Sequence, residues 1–126
     1  MIKILVVDDE PDVEMMFKQK FRVELRSGEF DMKFALGAQQ ALDYMSTLNP
    51  FDIVLVLSDI NMPGMTGLEL LKQIRKLFPT LRVFMITAYG DKHNYDEAIK
   101  FGANDFLTKP VDFQLLKERI SGIPAF

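Results

Sequence analysis

Ile53-Val54-Leu55-Val56-Leu57-Ser58-Asp59-Ile60-Asn61-Met62-Pro63-Gly64 decides the fold of this chain: an unbroken apolar run ends at an acid, then turns through proline and glycine. A run so short and so rich in β-branched and leucine side chains reads as a central strand of a parallel sheet covered on both faces. Asp59 closes the strand. Its carboxylate is expected at the rim of the sheet, solvated but rigidly supported, at the carboxyl edge where open parallel sheets bind ligands.

Working outward, Ile4 to Val7 is a first strand that stops at Asp8-Asp9-Glu10-Pro11-Asp12. Acids and a proline there suit a loop into a helix N-terminus. Val13, Met16, Phe17 and Phe21 then recur at helical spacing, with Lys18, Gln19 and Arg22 on the other face, until Arg26-Ser27-Gly28-Glu29 breaks the pattern. Asp31 to Leu36 alternates Met32 and Phe34 against Lys33 and is expected at a sheet edge. Ala38, Ala41, Leu42, Met45 and Leu48 predict a helix ended by Asn49-Pro50.

Beyond the Pro63-Gly64 turn, Leu68, Leu71, Ile74 and Leu77 predict an inward helix face, with Lys72, Gln73, Arg75 and Lys76 in water and Pro79 as the stop. Arg82 to Ile86 is the fourth strand, ending at Thr87-Ala88. Asp96 to Phe101 is a short helix closed by Gly102. Asp105 to Thr108 is the fifth strand and meets Lys109-Pro110; Asp112 caps a last helix facing inward through Phe113, Leu116 and Ile120. Five strands alternating with five helices, joined by right-handed crossovers, predict an α/β doubly wound, flavodoxin-like (βα)5 three-layer sandwich with a parallel sheet in the order 2-1-3-4-5.

The 126 residues are one domain in size, and 48% hydrophobic against 26% charged is the composition of an ordinary globular protein. Fifteen basic against 18 acidic residues leave no surplus for phosphate-backbone contacts, so direct nucleic-acid binding is not expected. The absence of cysteine excludes disulfides, thiol catalysis and thiolate metal sites. Met1 runs straight into a strand with no cleavage-site pattern, and no apolar run is long enough to cross a bilayer, so the expected location is cytoplasmic, without membrane insertion.

Parallel strands bring their carboxyl ends together, so Asp8, Asp9, Asp59, Thr87 and Lys109 are expected to converge. Three crowded carboxylates repel, and Lys109 supplies one positive charge against them. A hard divalent ion closes that gap, and an all-oxygen site suits magnesium or manganese better than zinc. Magnesium takes substrate phosphate among its ligands, which points to phosphoryl transfer: Asp59 as attacking carboxylate, Lys109 and the Thr87 hydroxyl on the phosphoryl oxygens. Ala88 leaves room for the incoming group.

Val6-Val7-Asp8-Asp9-Glu10, Ser58-Asp59-Ile60-Asn61-Met62-Pro63-Gly64, Ile86-Thr87-Ala88 and Thr108-Lys109-Pro110 together resemble the motifs of response-regulator receiver domains, the phosphoacceptor modules of bacterial two-component signalling. The resemblance runs from Ile2 to Ile120, which sets the domain at 1–121 with 122–126 as a tail or the start of a linker. It implies Asp59 as phosphoacceptor, Asp9 and Asp59 as direct metal ligands, Asp8 acting through metal-bound water, and the Asn61 carbonyl as a further ligand. It also implies Thr87 as the switch hydroxyl, Phe106 as the aromatic that swings behind it, and Lys109 as the phosphate-binding lysine in a cis bond to Pro110.

The implied activity is acceptance of a phosphoryl group from the phosphohistidine of a sensor kinase or phosphotransfer protein, followed by slow loss to water. The chain itself would be no enzyme beyond its own phosphorylation and dephosphorylation. Signalling would pass through the face of the fourth helix, fifth strand and fifth helix to an output domain or protein, with phosphorylation-linked homodimerisation a further option. Tyr89 is expected to screen the phosphate partly from water. The Phe-rich first helix and the stretch from Asp105 to Phe113 also resemble receivers attached to nucleotide cyclases or serine phosphatases.

Singly, each residue has a plainer role: Asp8 and Asp9 as helix-capping acids, Thr87 as a strand end, Lys109 as a solvated charge, Phe106 as core. Their joint placement at strand exits favours the site. His93, the one histidine, lies in a polar run and is expected on the surface. A flavodoxin shares the topology but needs a neutral phosphate loop where this chain has Asp8-Asp9-Glu10; an aspartyl-phosphate phosphatase needs a second acid and a cap. A degenerate, unphosphorylated interaction domain is the third alternative, and the filled acid set counts against it.

Overall fold

The computed structural model describes residues 2–49, 55–88 and 92–122. Ile53, Val54, Tyr89 and residues 123–126 of the expected tail lie outside the described residues. The strands are β1 (Ile2–Val7), β2 (Phe30–Ala35), β3 (Leu55–Asp59), β4 (Arg82–Thr87) and β5 (Asp105–Thr108). They form one sheet in the order β2-β1-β3-β4-β5, with every neighbouring pair parallel. The helices are α1 (Asp12–Lys20), α2 (Arg22–Ser27), α3 (Ala38–Met45), α4 (Gly67–Leu77), α5 (Lys92–Lys100) and α6 (Phe113–Ser121).

Alternation along each strand sends side chains to two faces, and the core divides accordingly. Leu5, Val7, Val56, Val83 and Met85 pack under α3, α4 and α5 through Ala41, Met45, Leu70, Leu71, Ile74 and Ala98. Ile4, Val6, Leu55, Leu57, Phe84 and Ile86 pack under α1 and α6 through Val13, Phe17, Leu116 and Ile120, with Leu25 of α2 against the same cluster. Strands covered on both faces read as continuous apolar runs for this reason.

The described residues hold six helices rather than five, because the first breaks at Phe21. Its backbone departs from helical geometry (φ −104°, ψ 20°) while Phe21 N–H still donates to the Phe17 carbonyl. The ring is drawn fully into the core, stacked on Phe17 at 5.8 Å and tilted against Phe30 at 5.7 Å. Burying a phenylalanine is worth about 1.5 to 3 kcal/mol, which outweighs one regular turn. Gly28 closes α2 in the left-handed region.

Four further expectations need correction. α3 ends at Met45, so Leu48 follows the helix instead of closing it. The inner face of α4 is Gly67, Leu70, Leu71 and Ile74, whereas Leu77 is 61% exposed. α5 begins at Lys92, ahead of the expected Asp96, and carries the exposed His93. Leu36, expected in the second strand, falls beyond it and is exposed.

Arg75 is half-buried, where a charge facing water was expected. Its Nε and Nη2 donate to the Gly102 carbonyl at 3.0 and 2.7 Å, Nη2 also to Asn104 Oδ1 at 2.8 Å, and Nη1 to the carbonyls of Phe78 and Leu81. Asn104 in turn accepts from Val83 N–H at 2.9 Å. One guanidinium thus joins the end of α4, the start of β4 and the turn into β5, and its burial lowers its pKa. No helix among the described residues is long and apolar enough to cross a membrane.

Candidate functional site

Backbone pairing assembles the site before any side chain contributes. Asp8 N–H donates to the Ala35 carbonyl at 3.1 Å, Ile60 N–H to Ile86 at 3.0 Å and Lys109 N–H to Thr87 at 2.8 Å, so each strand exit is tied to its neighbour. Beyond Asp59 the chain turns and enters α4 through a capping box, Thr66 Oγ1 accepting from Glu69 N–H at 3.2 Å. Gly67 N–H donates to the Ile60 carbonyl at 2.8 Å. A Cβ on Gly67 would lie 2.0 Å from the Asp59 carbonyl oxygen, so only glycine lets the first turn of α4 press against the acid-bearing backbone.

On that support, carboxylate oxygens of Asp8, Asp9 and Asp59 lie within 4.8 Å of one another. Lys109 Nζ stands 3.2 Å from Asp8 Oδ2 and 3.6 Å from Asp59 Oδ2. Neither Asp8 nor Asp9 caps α1, which has no side-chain cap; Asp8 Oδ1 instead accepts from Glu10 N–H at 3.0 Å. Asp59 is 5% exposed, which corrects the solvated rim position expected for it. The neighbouring strand ends and Lys109 wall it in. On one side a cavity of about 230 Å³ runs between α1 and the start of α6, with apolar walls that include Val13, Met16, Phe17 and Phe113.

Burial pushes the Asp59 carboxyl above its ordinary value, and the charges of Asp8 and, more weakly, Asp9 add to this. Lys109 and the Asn61 main-chain N–H pull the other way without reversing it. Burial opposes the charge of Lys109 as well, but its hydrogen bond to Asp8 and the charges of Asp59 and Asp8 prevail, and its pKa rises. Three acids face one cation, an arrangement one positive charge does not balance. Hard oxygen donors in a chain without cysteine, with its only histidine exposed on α5, fit a hard divalent cation.

Thr87 is fully buried at the end of β4, and its Oγ1 accepts from Asn61 Nδ2 at 3.3 Å. Phe106 stands apart from the acids, half-buried in β5 and edge-on to Tyr95 of α5 at 5.5 Å. The Lys109-Pro110 bond is cis. Sequence analysis missed the Asn61 side chain, the close approach at Gly67 and the capping box. The Thr66-to-Glu69 spacing carries a legible signal for the box; the other two depend on distances between elements.

A family model described as response regulator receiver domain matches residues 4–121. The response regulator protein PilR of Pseudomonas aeruginosa is 38% identical over 119 residues, which are 94% of this chain and 25% of that protein. A chemotaxis protein CheY homolog of Campylobacter jejuni is 34% identical over 124 residues, 97% of this chain and 92% of its own length. Among solved structures, the response regulator receiver domain protein of Clostridium thermocellum superposes with a TM-score of 0.86 at 30% identity, covering 98% of this chain and 94% of that one. TrrA of Thermotoga maritima, crystallised in complex with Mg(2+)-BeF, superposes with a TM-score of 0.80 at 31% identity, covering 98% and 100%. The family match extends from β1 through α6, and the chain belongs to the response-regulator receiver domains of two-component signalling.

Proposed function

We propose that this chain is a phosphorylation-dependent switch whose phosphoacceptor is Asp59. The observation that carries this is the gathering of Asp8, Asp9 and Asp59 within 4.8 Å, with Lys109 Nζ 3.6 Å from Asp59 Oδ2. In the transfer, an Asp59 carboxylate oxygen forms a bond to phosphorus as the bond from phosphorus to the donor's histidine nitrogen breaks. That electron pair returns to the imidazole. Lys109 offsets charge on the phosphoryl oxygens and the Thr87 hydroxyl donates to one of them. Later loss to water breaks the bond between phosphorus and Asp59, releasing inorganic phosphate and the free carboxylate.

Asp8, Asp9, Asp59 and the Asn61 carbonyl would hold Mg2+, with Mn2+ as a substitute. When bound, the ion neutralises charge on the acids and the phosphoryl oxygens. The donor is a sensor histidine kinase or a histidine phosphotransfer protein. Signal leaves as Thr87 turns toward the phosphoryl group and Phe106 follows, altering the face of α5, β5 and α6 that an output domain or protein meets. The match to PilR over 25% of that protein favours a second form of the same function, a receiver module within a longer regulator.

Incubation with acetyl phosphate and Mg2+, followed by intact mass, tests the function. One added phosphoryl group is expected, absent in Asp59→Asn and in the presence of chelator. Equal phosphorylation of Asp59→Asn would refute the assignment.

A further inference from the structure

The cavity beside the acids is used by no step of the phosphoryl transfer. Its sheet wall follows from strand alternation: Val6 and Leu57 point to the face covered by α1 and α6, and two residues further along each strand the same face carries Asp8 and Asp59. Val13, Phe17 and Phe113 close the apolar part, with the rings of Phe17 and Phe113 edge-on at 5.3 Å. Glu10 and Lys109 line the same space as the two aspartates. One wall is thus apolar inside and acidic at the sheet edge.

Volume and charge together select an occupant. At about 230 Å³ the cavity is smaller than the usual site for a drug-sized molecule, yet larger than the roughly 150 Å³ of an apolar cavity that takes up benzene, so it has room for one aromatic ring and a short chain. Three carboxylates against one ammonium leave the edge negative, and Lys109 is already held by Asp8 at 3.2 Å and Asp59 at 3.6 Å. A cationic head gains there and an anionic one loses. We propose that this cavity binds a small arylalkyl ammonium, its ring among Val13, Phe17 and Phe113 and its charged nitrogen at the carboxylates of Asp8, Glu10 and Asp59. Binding of the amine needs no phosphoryl transfer, so its failure and the failure of the phosphoacceptor function are separate results.

Phenethylamine is the probe, titrated into the methyl-labelled chain in chelator and read by NMR shifts. Chelator keeps divalent ions from taking up the same negative charge. The methyls of Val13, Leu57, Ile86 and Val111 should move along one saturable curve, with a dissociation constant of about 1 mM or tighter for a ligand of this size. Phenylpropanoate, which keeps the ring and chain and reverses the charge, should bind at least about tenfold more weakly.

Met16 lines the cavity while 40% exposed, so Met16→Trp can fill the space from the surface and should abolish the shifts. Glu10→Gln should weaken binding about two- to fivefold, the worth of one exposed charge. Shifts that do not saturate, equal binding of the anion, or binding retained in Met16→Trp overturns the proposal. Methyl shifts that follow protein concentration without amine would place a second copy of the chain at the cavity and overturn it as well.

Discussion

Replacing Gly67 by alanine should damage the site without touching any group that does chemistry. The added Cβ would fall 2.0 Å from the Asp59 carbonyl oxygen and 2.8 Å from Ile60 Cα, both backbone atoms with no rotamer through which to yield. Ordinary contact requires about 3.5 Å, so the first turn of α4 or the end of β3 must shift by roughly 1.5 Å. Overpacking of this kind costs about 1 to 3 kcal/mol, and the improved helix propensity of alanine returns less than about 1 kcal/mol at a first-turn position. A displacement near 1 Å at the attacking carboxylate is worth up to about a hundredfold in rate.

The assay is the rate of phosphorylation by acetyl phosphate with Mg2+, read by intact mass beside a thermal melt. Gly67→Ala should lower Tm by several degrees and slow phosphorylation at least about tenfold. Gly64→Ala is the control: its φ of 75° makes alanine strained, but nothing lies within 4 Å, so stability falls while the placement of Asp59 stays. A Gly67→Ala protein with parental Tm and parental rate would refute the claim that this contact positions Asp59.

The strands were legible because both faces of the sheet are covered, which makes Ile4 to Val7, Leu55 to Leu57 and Val83 to Ile86 continuous apolar runs. Parallel pairing then places the strand-ending Asp8, Asp59, Thr87 and Lys109 on one edge from sequence alone. Less local matters were hidden. Leu68, Leu70, Leu71, Ile74 and Leu77 allow several inward faces, and the packing of α4 buries Leu70 while leaving Leu77 exposed. Arg75 looks like a solvated charge until the carbonyls of Phe78, Leu81 and Gly102 converge on it. The break at Phe21 has no glycine or proline to announce it, only an aromatic pocket assembled from Phe17, Phe30 and Phe113.

In chelator at neutral pH, Asp59→Asn should raise Tm by about 3 to 6 °C, because ionised Asp59 is buried beside Asp8 and costs on the order of 1 kcal/mol. The folded pKa lies above the unfolded one, so this cost sets in as pH rises through the window above the ordinary value of 3.8 and fades on acidification. Melts of both proteins should therefore converge toward low pH; a constant gap would contradict this. Arg75→Met should lower stability by about 2 to 4 kcal/mol in urea denaturation by orphaning several backbone carbonyls, and a change under about 0.5 kcal/mol would discount the clamp. Leu70→Ala should cost about 2 to 5 kcal/mol and Leu77→Ala under about 1 kcal/mol; the reverse order would contradict the observed face of α4.

The central claim, that Asp8, Asp9 and Asp59 share one cation beside Lys109, is tested most directly by titrating the protein with Mn2+ and reading paramagnetic broadening of its backbone amides. The amides of residues 8–10, 59–61 and 109 should broaden first, saturating at one ion per chain, with Asp9→Asn weakening the effect. Broadening centred on exposed acids such as Glu14 or Asp43, or a pattern that Asp9→Asn leaves unchanged, would contradict it.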